Sequence, residues 1–311
     1  MMFPWGNERR FNAYSHYCKI HYGGRIQKLP VDAGFSCPNR VDRSHGGCTY
    51  CANDAFSPSY LAESDTVATQ LERGKRFFEK RYPNNNGYFA YFQSYSNTYA
   101  PLDVLRQRYE LALQVPDIKG LIISTRPDCL PEEVLDYFSE LNTRMHLTVE
   151  LGVESLHNET LAHIHRGHTV ECTLEAFTKL HARKILTCAH LIFGLPGETP
   201  EQWFSDVQLL NELHPLFVKF HQLQIFKNTP METEYNDHPE RFHTLSADEY
   251  VQFLSDYLER LSPEIVIERL SAEAPPRFLA VSRWNLLRHD ALVRKIEEEL
   301  VGRGTFQGFR L

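Results

Sequence analysis

DAGFSCPNRVDRSHGGCTYCANDAF, residues 32–56, places three of the chain's seven cysteines within fifteen positions. Cys37, Cys48 and Cys51 have the spacing C-x10-C-x2-C, and the stretch directly follows a predicted strand at residues 25–31. In parallel β/α folds the reactive site gathers at the carboxyl ends of the strands. The cysteine loop therefore leaves its strand at the end where such a fold carries its chemistry.

Strand-like and helix-like stretches alternate beyond this loop, which predicts an α/β fold of parallel units. The sheet is expected to be either open and doubly wound, or a full or partial barrel. Thr199 and Gln202 predict a capping box at the start of one helix. The strand candidates, rich in β-branched and aromatic residues, are 25–31, 88–93, 120–125, 146–153, 186–193 and 217–225. The amphipathic helix candidates are 66–81, 102–114, 131–141, 170–182 and 200–213.

The rhythm changes after about residue 235, which predicts a C-terminal extension. There we expect a helix at 247–261, a short strand at 265–269 and a helix at 286–301. The chain is thus predicted to comprise a lead-in at 1–24, a core at 25–235, and an extension at 236–311 packed on that core.

The amino-acid composition limits the classes of protein to which the chain can belong. With 311 residues and 42% apolar content the chain can bury a large core. Its longest apolar runs are far below the roughly 20 residues that span a bilayer, and no leader opens it, so we expect a cytoplasmic protein that does not enter the membrane. An odd, uneven set of cysteines fits a reducing compartment. The net charge of −7 does not indicate a nucleic-acid binder.

Two metals compete for the cysteine loop. Structural zinc requires four ligands, and His45 could complete the three cysteines. A [4Fe-4S] cluster can instead be held by three cysteines, which leaves one iron open. A dinucleotide-binding oxidoreductase is disfavoured, because no G-x-G-x-x-G follows the first strand.

Several blocks resemble a known family. Three cysteines after the first strand, with Tyr50 before the last, resemble the signature of the radical S-adenosylmethionine (SAM) superfamily. ELGVESLHNETLAHIHRGHT (150–169) resembles elongator catalytic subunits, and HLIFGLPGET (190–199) is similar to coproporphyrinogen dehydrogenases. The chain looks closest to the elongator-like YhcC/YtqA group in four further blocks: KLPVDAGFSCPNR (28–40), YFQSYSNTYA (91–100), STRPDCLP (124–131) and VKFHQLQIFKNTPM (218–231).

The resemblance implies a partial (β/α)6 TIM-like barrel with SAM bound across the strand ends. It implies a [4Fe-4S] iron–sulfur cluster on Cys37, Cys48 and Cys51, which cleaves SAM to a 5'-deoxyadenosyl radical for hydrogen abstraction. An electron donor such as flavodoxin or ferredoxin would be a partner. The elongator kinship suggests modification of the tRNA wobble uridine, with a small-molecule substrate as the alternative. A noncatalytic, zinc-stabilised β/α binding module is the alternative from another class.

Polar residues near the strand ends are candidates for SAM binding, whereas no residue is assigned as a general acid or base. Glu150 and Glu154 lie four apart on one strand and should share a face. By resemblance, Glu154 is expected to bind a ribose hydroxyl and Arg166 the methionine carboxylate. The remaining candidates for cofactor contacts are Tyr50, Gln93, Ser94, Ser124, Arg126, His190 and Gly194.

Overall fold

Seven parallel strands form a single sheet in the computed structural model, which describes residues 2–43, 45–58, 60–61, 65–281, 284 and 287–311. The spatial order of the strands follows the sequence without a reversal, so the sheet curls into a half-barrel instead of switching direction as a doubly wound sheet does. The predicted partial barrel is confirmed, with a seventh strand added from the C-terminal part. The strands are β1 (Arg25–Val31), β2 (Asn85–Phe92), β3 (Ile118–Thr125), β4 (His146–Glu154), β5 (Leu186–Phe193), β6 (Phe217–Gln222) and β7 (Val266–Arg269).

Helices cover the outer face of this sheet. The predicted helices are confirmed to within three residues, although Leu286, the expected start of the last one, lies outside the described residues. Thr199 and Gln202 form the predicted capping box. In the described part of the chain, no helix is both long and apolar enough to cross a membrane. The helices are α1 (Tyr14–Tyr22), α2 (Val67–Glu79), α3 (Leu102–Leu113), α4 (Glu132–Arg144), α5 (Asn158–His163), α6 (Val170–Ala182), α7 (Pro200–Leu213), α8 (Pro230–Asp237), α9 (Ala247–Leu258) and α10 (His289–Arg303).

Three of these helices were not predicted from the sequence: α1, α5 and α8. They are only nine, six and eight residues long, too short for a helical period to stand out from its surroundings. Two of them border the functional region, since α5 precedes Arg166 and α8 follows β6.

Helix α1 plugs the amino-terminal end of the barrel. Tyr14 packs edge-on against Phe217 of β6, with ring centroids 5.3 Å apart, and Tyr22 packs likewise against Phe89 of β2. The segment just before α1 extends the sheet, because the amide of Ile267 in β7 donates to the carbonyl of Asn12 at 2.7 Å. The lead-in therefore closes the base of the barrel, while the proposed boundaries at residues 24 and 235 stay predictions.

A layer of buried charges lies above this apolar base. This ionic layer consists of Lys28 on β1, Glu150 on β4, Lys219 on β6 and Glu268 on β7. The Lys219 ammonium lies 2.5 Å from Glu150 and 2.9 Å from Glu268, and the Lys28 ammonium lies 2.8 Å and 2.5 Å from the same two carboxylates. Because β1 and β7 are the two open edges of the sheet, the pair Lys28–Glu268 links them through side chains.

Charge balance keeps the ionic layer ionised. Glu150 has no exposed surface and Lys219 is 1% exposed, so both would be costly alone. Burial by itself would raise the pKa of Glu150, but the ammonium groups of Lys219 and Lys28 hold that pKa well below its usual range. Two cations and two anions thus offset one another in the middle of the barrel.

Candidate active site

The cysteine loop lies over the carboxyl ends of the strands, where its three cysteines line one cavity above the ionic layer. A backbone bridge between Arg40 and Gly46 shapes the loop. Thr49 anchors it twice, because its amide donates to the carbonyl of Ile164 at 3.0 Å and its carbonyl accepts from the amide of Met231 at 3.1 Å. The unpredicted helices α5 and α8 therefore hold the cysteines in place.

Side-chain N–H groups point at two of the cysteine sulfurs. Arg40 donates to Sγ of Cys51 at 3.4 Å, while Asn39 and Arg166 donate to Sγ of Cys48 at 3.6 Å each. Such donors stabilise the anionic thiolate, which is the form that binds metal. The loop thus presents sulfurs that are prepared for negative charge.

Without a cation, however, three thiolates would not coexist in this loop. Burial, followed by the charge of the neighbouring Cys51, raises the pKa of the Cys37 thiol to about 12. Burial likewise raises the pKa of Cys51. A bound metal reverses this balance, because it deprotonates a coordinating thiol outright. The donor set therefore fits a cationic group held by all three sulfurs.

The geometry disfavours zinc at this loop. His45, the expected fourth ligand, has a side chain 77% exposed, and its Nδ1 lies 2.8 Å from the carboxylate of Asp42. Within the described ranges, one group of three potential ligand atoms lies within 4.8 Å of one another, and it belongs to Glu150, Cys188 and His190. The sulfurs of Cys37, Cys48 and Cys51 therefore do not all lie within 4.8 Å of one another. Zinc–sulfur bonds of about 2.3 Å need sulfurs about 4 Å apart. The wider spread suits a multinuclear cluster.

Arg166 is packed tightly beside the cysteines. Its guanidinium donates to the carbonyl of Gly152 at 2.6 Å and lies 3.3 Å from the carboxylate of Glu154. A Cβ at position 152 would lie 2.3 Å from Nη2 of Arg166, so a larger residue there would displace the guanidinium. Glu154 has a φ of +67° and follows a register shift in β4, which turns its carboxylate toward the cavity. Glu150 and Glu154 both line this cavity, and the register shift, not regular alternation, brings Glu154 there.

Arg126 lies next to Arg166 and keeps one N–H group free. It forms a two-pronged ion pair with Asp128, at 2.8 Å and 2.6 Å. Its third nitrogen, Nη1, is buried and has no hydrogen-bond partner among the residues that the structure describes. Gly167 makes room for this guanidinium, since a Cβ there would lie 2.8 Å from Nη2 of Arg126.

Most of the other predicted contacts also line the cavity, and two do not. Tyr50, Gln93, Ser124 and His190 line it. Gly194 lines a neighbouring cavity instead, and a Cβ there would meet the carbonyl of His243 at 3.3 Å. Ser94 is not among the residues that line either cavity.

Ser124 and His190 connect the cavity to the ionic layer. The Ser124 hydroxyl donates to Glu150 at 2.8 Å, and Nε2 of His190 lies 3.1 Å from the same carboxylate. Glu150 thereby receives contacts from two lysines, a serine and a histidine. The trio Glu150, Cys188 and His190 is accordingly part of an internal charge network, with its carboxylate already neutralised by ammonium groups.

The far side of the cavity carries buried polar atoms without partners in the described structure. They are Nδ2 of Asn53, Nε2 of His221 and Oε1 of Gln224. Leaving a buried polar atom unpaired costs about 1–3 kcal/mol, so such atoms indicate a site that a ligand completes. Phe56 and Phe226 pack edge-to-face beside them, with centroids 5.5 Å apart, and add an apolar wall.

Sequence reasoning missed Asn39, Arg40 and Arg269 as cavity residues. Asn39 and Arg40 lie within two to three positions of Cys37, and that proximity was the available signal. Arg269 ends a predicted strand, but nothing in the pattern shows which way its side chain points.

Comparison with known proteins places this site in a family. Residues 37–210 match the family model described as "Radical SAM superfamily", and residues 215–300 match "Radical_SAM C-terminal domain". The uncharacterized protein YtqA of Bacillus subtilis is 36% identical over 308 residues, which cover 98% of this chain and 94% of YtqA. The protein YhcC of Escherichia coli is 32% identical over 265 residues, which cover 85% of this chain and 84% of YhcC.

Solved structures show the same fold. The archaeal Elp3 of Methanocaldococcus infernus superposes with a TM-score of 0.65 at 18% identity, over 78% of this chain. The match spans 60% of the Elp3 chain, so this chain covers only part of that protein. At this level of identity the likeness concerns the fold.

Proposed function

The chain belongs to the radical SAM superfamily, and on this premise we propose that the cavity is the active site of a radical SAM enzyme whose [4Fe-4S] cluster is held by Cys37, Cys48 and Cys51. The observation that carries the proposal is the convergence of three cysteines, with N–H donors aimed at two of them, on one cavity. When bound, the cluster and SAM supply radical chemistry, in which an electron cleaves SAM so that a hydrogen atom can be taken from the substrate.

The arginines beside the cysteines would bind the carboxylate of SAM. Arg126 offers an unpaired N–H group, and a planar guanidinium matches a carboxylate. Arg166 adds positive charge and is held by Gly152 and Glu154. We assign the methionine carboxylate to this pair and a ribose hydroxyl to Glu154.

The unpaired atoms across the cavity would complete the cofactor site. Asn53 and Gln224 offer an amide donor and an amide acceptor. Tyr50 packs in a cluster of apolar side chains with Ile164 and Ile225, and this cluster keeps water from that wall. These groups suit the edge and face of an adenine ring, whose binding would satisfy atoms that are otherwise costly to bury.

Anaerobic reconstitution with iron and sulfide tests this function. We expect a brown protein whose absorption bleaches with dithionite and which, given a reductant such as flavodoxin or ferredoxin, cleaves SAM to methionine. A colourless protein holding one tetrahedral zinc ion and no inorganic sulfide would contradict the proposal and favour a zinc-stabilised binding module.

For the substrate, we propose a wobble uridine of tRNA or a precursor of its modification. Support comes from the tRNA uridine(34) acetyltransferase of Methanocaldococcus jannaschii, which is 31% identical over 115 residues that cover 36% of this chain and 21% of that enzyme. The modified nucleosides in bulk tRNA should differ between cells with and without the gene. Identical nucleoside profiles, together with binding of tRNA that does not weaken as salt rises, would favour a small-molecule substrate.

A further inference from the structure

Arg269 stands apart from the other arginines of the cavity. Arg40, Arg126 and Arg166 are all held by hydrogen bonds or ion pairs. Arg269 has neither within the described part of the chain, although it lines the same cavity. A guanidinium with five N–H donors and no acceptor is matched to an anionic partner.

A shift in strand register turns Arg269 inward. Lys219 of β6 pairs with Arg269 of β7, whereas the preceding Val218 pairs with Ile267, so β7 carries one extra residue, Glu268. Without this irregularity Glu268 and Arg269 would point to opposite faces. With it, Glu268 joins the ionic layer while Arg269 reaches the cavity.

Arg269 has neutral, cationic and acidic neighbours. Its charge acts on Tyr91, Lys219 and His221, and after burial it is the main cause that lowers the pKa of His221 well below the usual value. His221 is therefore a neutral imidazole whose buried Nε2 has no partner in the described structure. The local carboxylates, Glu150 and Glu268, are already engaged by lysines. In the part of the chain that the structure describes, no carboxylate forms an ion pair with the Arg269 guanidinium, although Asp290 lines the same groove.

Arg269 also lines a second space, a groove between β1 and β7 of about 800 Å³. Five cationic and three acidic side chains line this groove, in a chain whose net charge is −7. Of the acidic ones, Glu268 pairs with lysines and Glu297 pairs with Arg9. The remaining cations of the groove are Lys19, Arg25, Arg269 and Arg294. With Asp290 as the third acid, cations still outnumber acids in this groove, and Arg269 is the arginine that lines both the groove and the cavity.

We propose that Arg269 binds an anionic group of the substrate, a phosphate or a carboxylate, at the junction of the groove and the active-site cavity. The proposal rests on the proposed function, because it takes the cavity to be where substrate and SAM meet. It is distinct from the site beside the cysteines, because Arg40 and Arg166 donate to the cysteine sulfurs whereas Arg269 ends the edge strand β7. The substrate is accordingly an anion that is reached from the β7 side of the barrel.

Protection of Arg269 from phenylglyoxal tests this inference. The reconstituted protein is treated with the reagent alone and with uridine, uridine 5'-monophosphate, acetate or SAM, and modification at each arginine is quantified by mass spectrometry. Arg277 is an exposed internal control, since its guanidinium lies over Phe278, outside the cavity. We expect Arg269 to react alone and in uridine, and to be protected by uridine 5'-monophosphate or by acetate while Arg277 stays reactive.

The outcomes separate the sources of the anion. Protection by uridine 5'-monophosphate at lower concentrations than acetate identifies a phosphate, and the reverse order identifies a carboxylate. Failure of both anions to protect Arg269, or equal protection by SAM alone, overturns the proposal. Because phenylglyoxal reports on one side chain, a negative result here differs from loss of the cluster, which would show in the absorption spectrum.

A pair of matched variants gives an independent readout. Arg269→Gln should weaken binding of the protecting anion by about 10- to 100-fold, the loss expected for a hydrogen bond to a charged group. Arg269→Lys should recover part of it, because the charge remains without the planar fork. Arg277→Gln should bind normally. Unchanged affinity in Arg269→Gln would contradict the proposal.

Discussion

The ionic layer and the cavity directly above it both contain charged side chains. These side chains form ion pairs with one another in the ionic layer, whereas several polar groups in the cavity have no partner in the described structure. In the ionic layer Lys28, Glu150, Lys219 and Glu268 form four ion pairs with one another, and only Oε2 of Glu268 has no hydrogen-bond partner in the described structure. In the cavity, by contrast, Arg126, His221 and Gln224 keep buried atoms without partners in the described structure, and Arg269 has no ion pair there. The paired charges stabilise the sheet, whereas the unpaired groups are available to bind a ligand.

The ionic layer and the cavity should respond differently to substitution. Removing one member of a set of buried ion pairs leaves an uncompensated charge, and the fold bears the cost. Removing a group that has no protein partner costs the fold little, and the loss appears in binding or chemistry instead. Stability and function should therefore separate between layers that share the same strands.

Among substitutions in the cavity, Cys48→Ala should cause the largest loss of function. We expect the cluster and SAM cleavage to disappear, because no neighbouring thiolate can replace Cys48. The free energy of unfolding of the metal-free protein should change by less than about 1 kcal/mol. Iron and sulfide content, SAM cleavage and urea unfolding measure the three quantities.

Cys172→Ala is the matched control for that variant. Cys172 is a half-buried cysteine on α6, outside the cavity, and its loss should leave both cluster and cleavage intact. SAM cleavage retained by Cys48→Ala would defeat the assignment of the cluster ligands.

Lys219→Met should show the opposite pattern. Glu150 would lose its closest counter-ion in the barrel interior, at a cost of about 3–5 kcal/mol in unfolding free energy. Folded protein should still bind iron. The double variant Lys219→Met, Glu150→Met should recover most of the loss, because Lys28 and Glu268 remain paired. Urea unfolding of both variants checks this.

Lys179→Met serves as the control for the ionic layer. Its ammonium pairs with Glu175 at the surface of α6, where solvent screens the interaction, so stability should hardly change. If Lys219→Met were equally harmless, the buried ion pairs of Lys219 would not contribute to the stability of the fold.

Arg166→Ala should have an intermediate effect, with weaker SAM binding but no loss of the cluster. We expect the cluster to be retained, since the three cysteines remain, and SAM affinity to fall by about 10- to 100-fold through the loss of a charged partner. Equilibrium binding of SAM to the reconstituted variant measures the effect, with Arg183→Ala, at the surface near Glu132, as the control. Normal SAM affinity would remove the role proposed for Arg166.

We expect the smallest effect at His157, which lies outside both the ionic layer and the cavity. The hydrogen bond that Nε2 of His157 donates to the Asp206 carboxylate, at 3.0 Å, raises the pKa of His157 above its ordinary value of 6.5. A raised pKa means that the pair stabilises the fold fully below about pH 6.5, and that this contribution is lost as the pH rises through the folded value.

Asp206→Asn should therefore destabilise the protein by about 1 kcal/mol or less at pH 5.5, and not at pH 9. Thermal unfolding at the two values measures the difference. An equal effect at both values would show that the histidine charge plays no part.

Local sequence chemistry accounts for much of this fold. The strand and helix periods, the capping box at Thr199 and the position of the cysteine loop depend on neighbours within a few residues, and the structure agrees with them. Those features were predictable because their causes are short-range.

Register irregularities were the main obstacle to predicting the site. Arg269 and Glu154 owe their positions to shifts between neighbouring strands, which a single sequence does not reveal. The neighbours of Gly194 arise in the same way, since the backbone at His243 that approaches it lies far along the chain. Contacts across dozens of residues decide such details.

The sequence alone determined that three cysteines follow the first strand of a parallel β/α fold, because periodicity and spacing are written in the order of residues. Contacts between strands that are distant in sequence established which charged side chains pair with one another and which remain free to bind a ligand. That choice depends on distances of a few ångströms between strands remote in sequence, where a counter-ion at 2.5 Å and an empty position have opposite consequences.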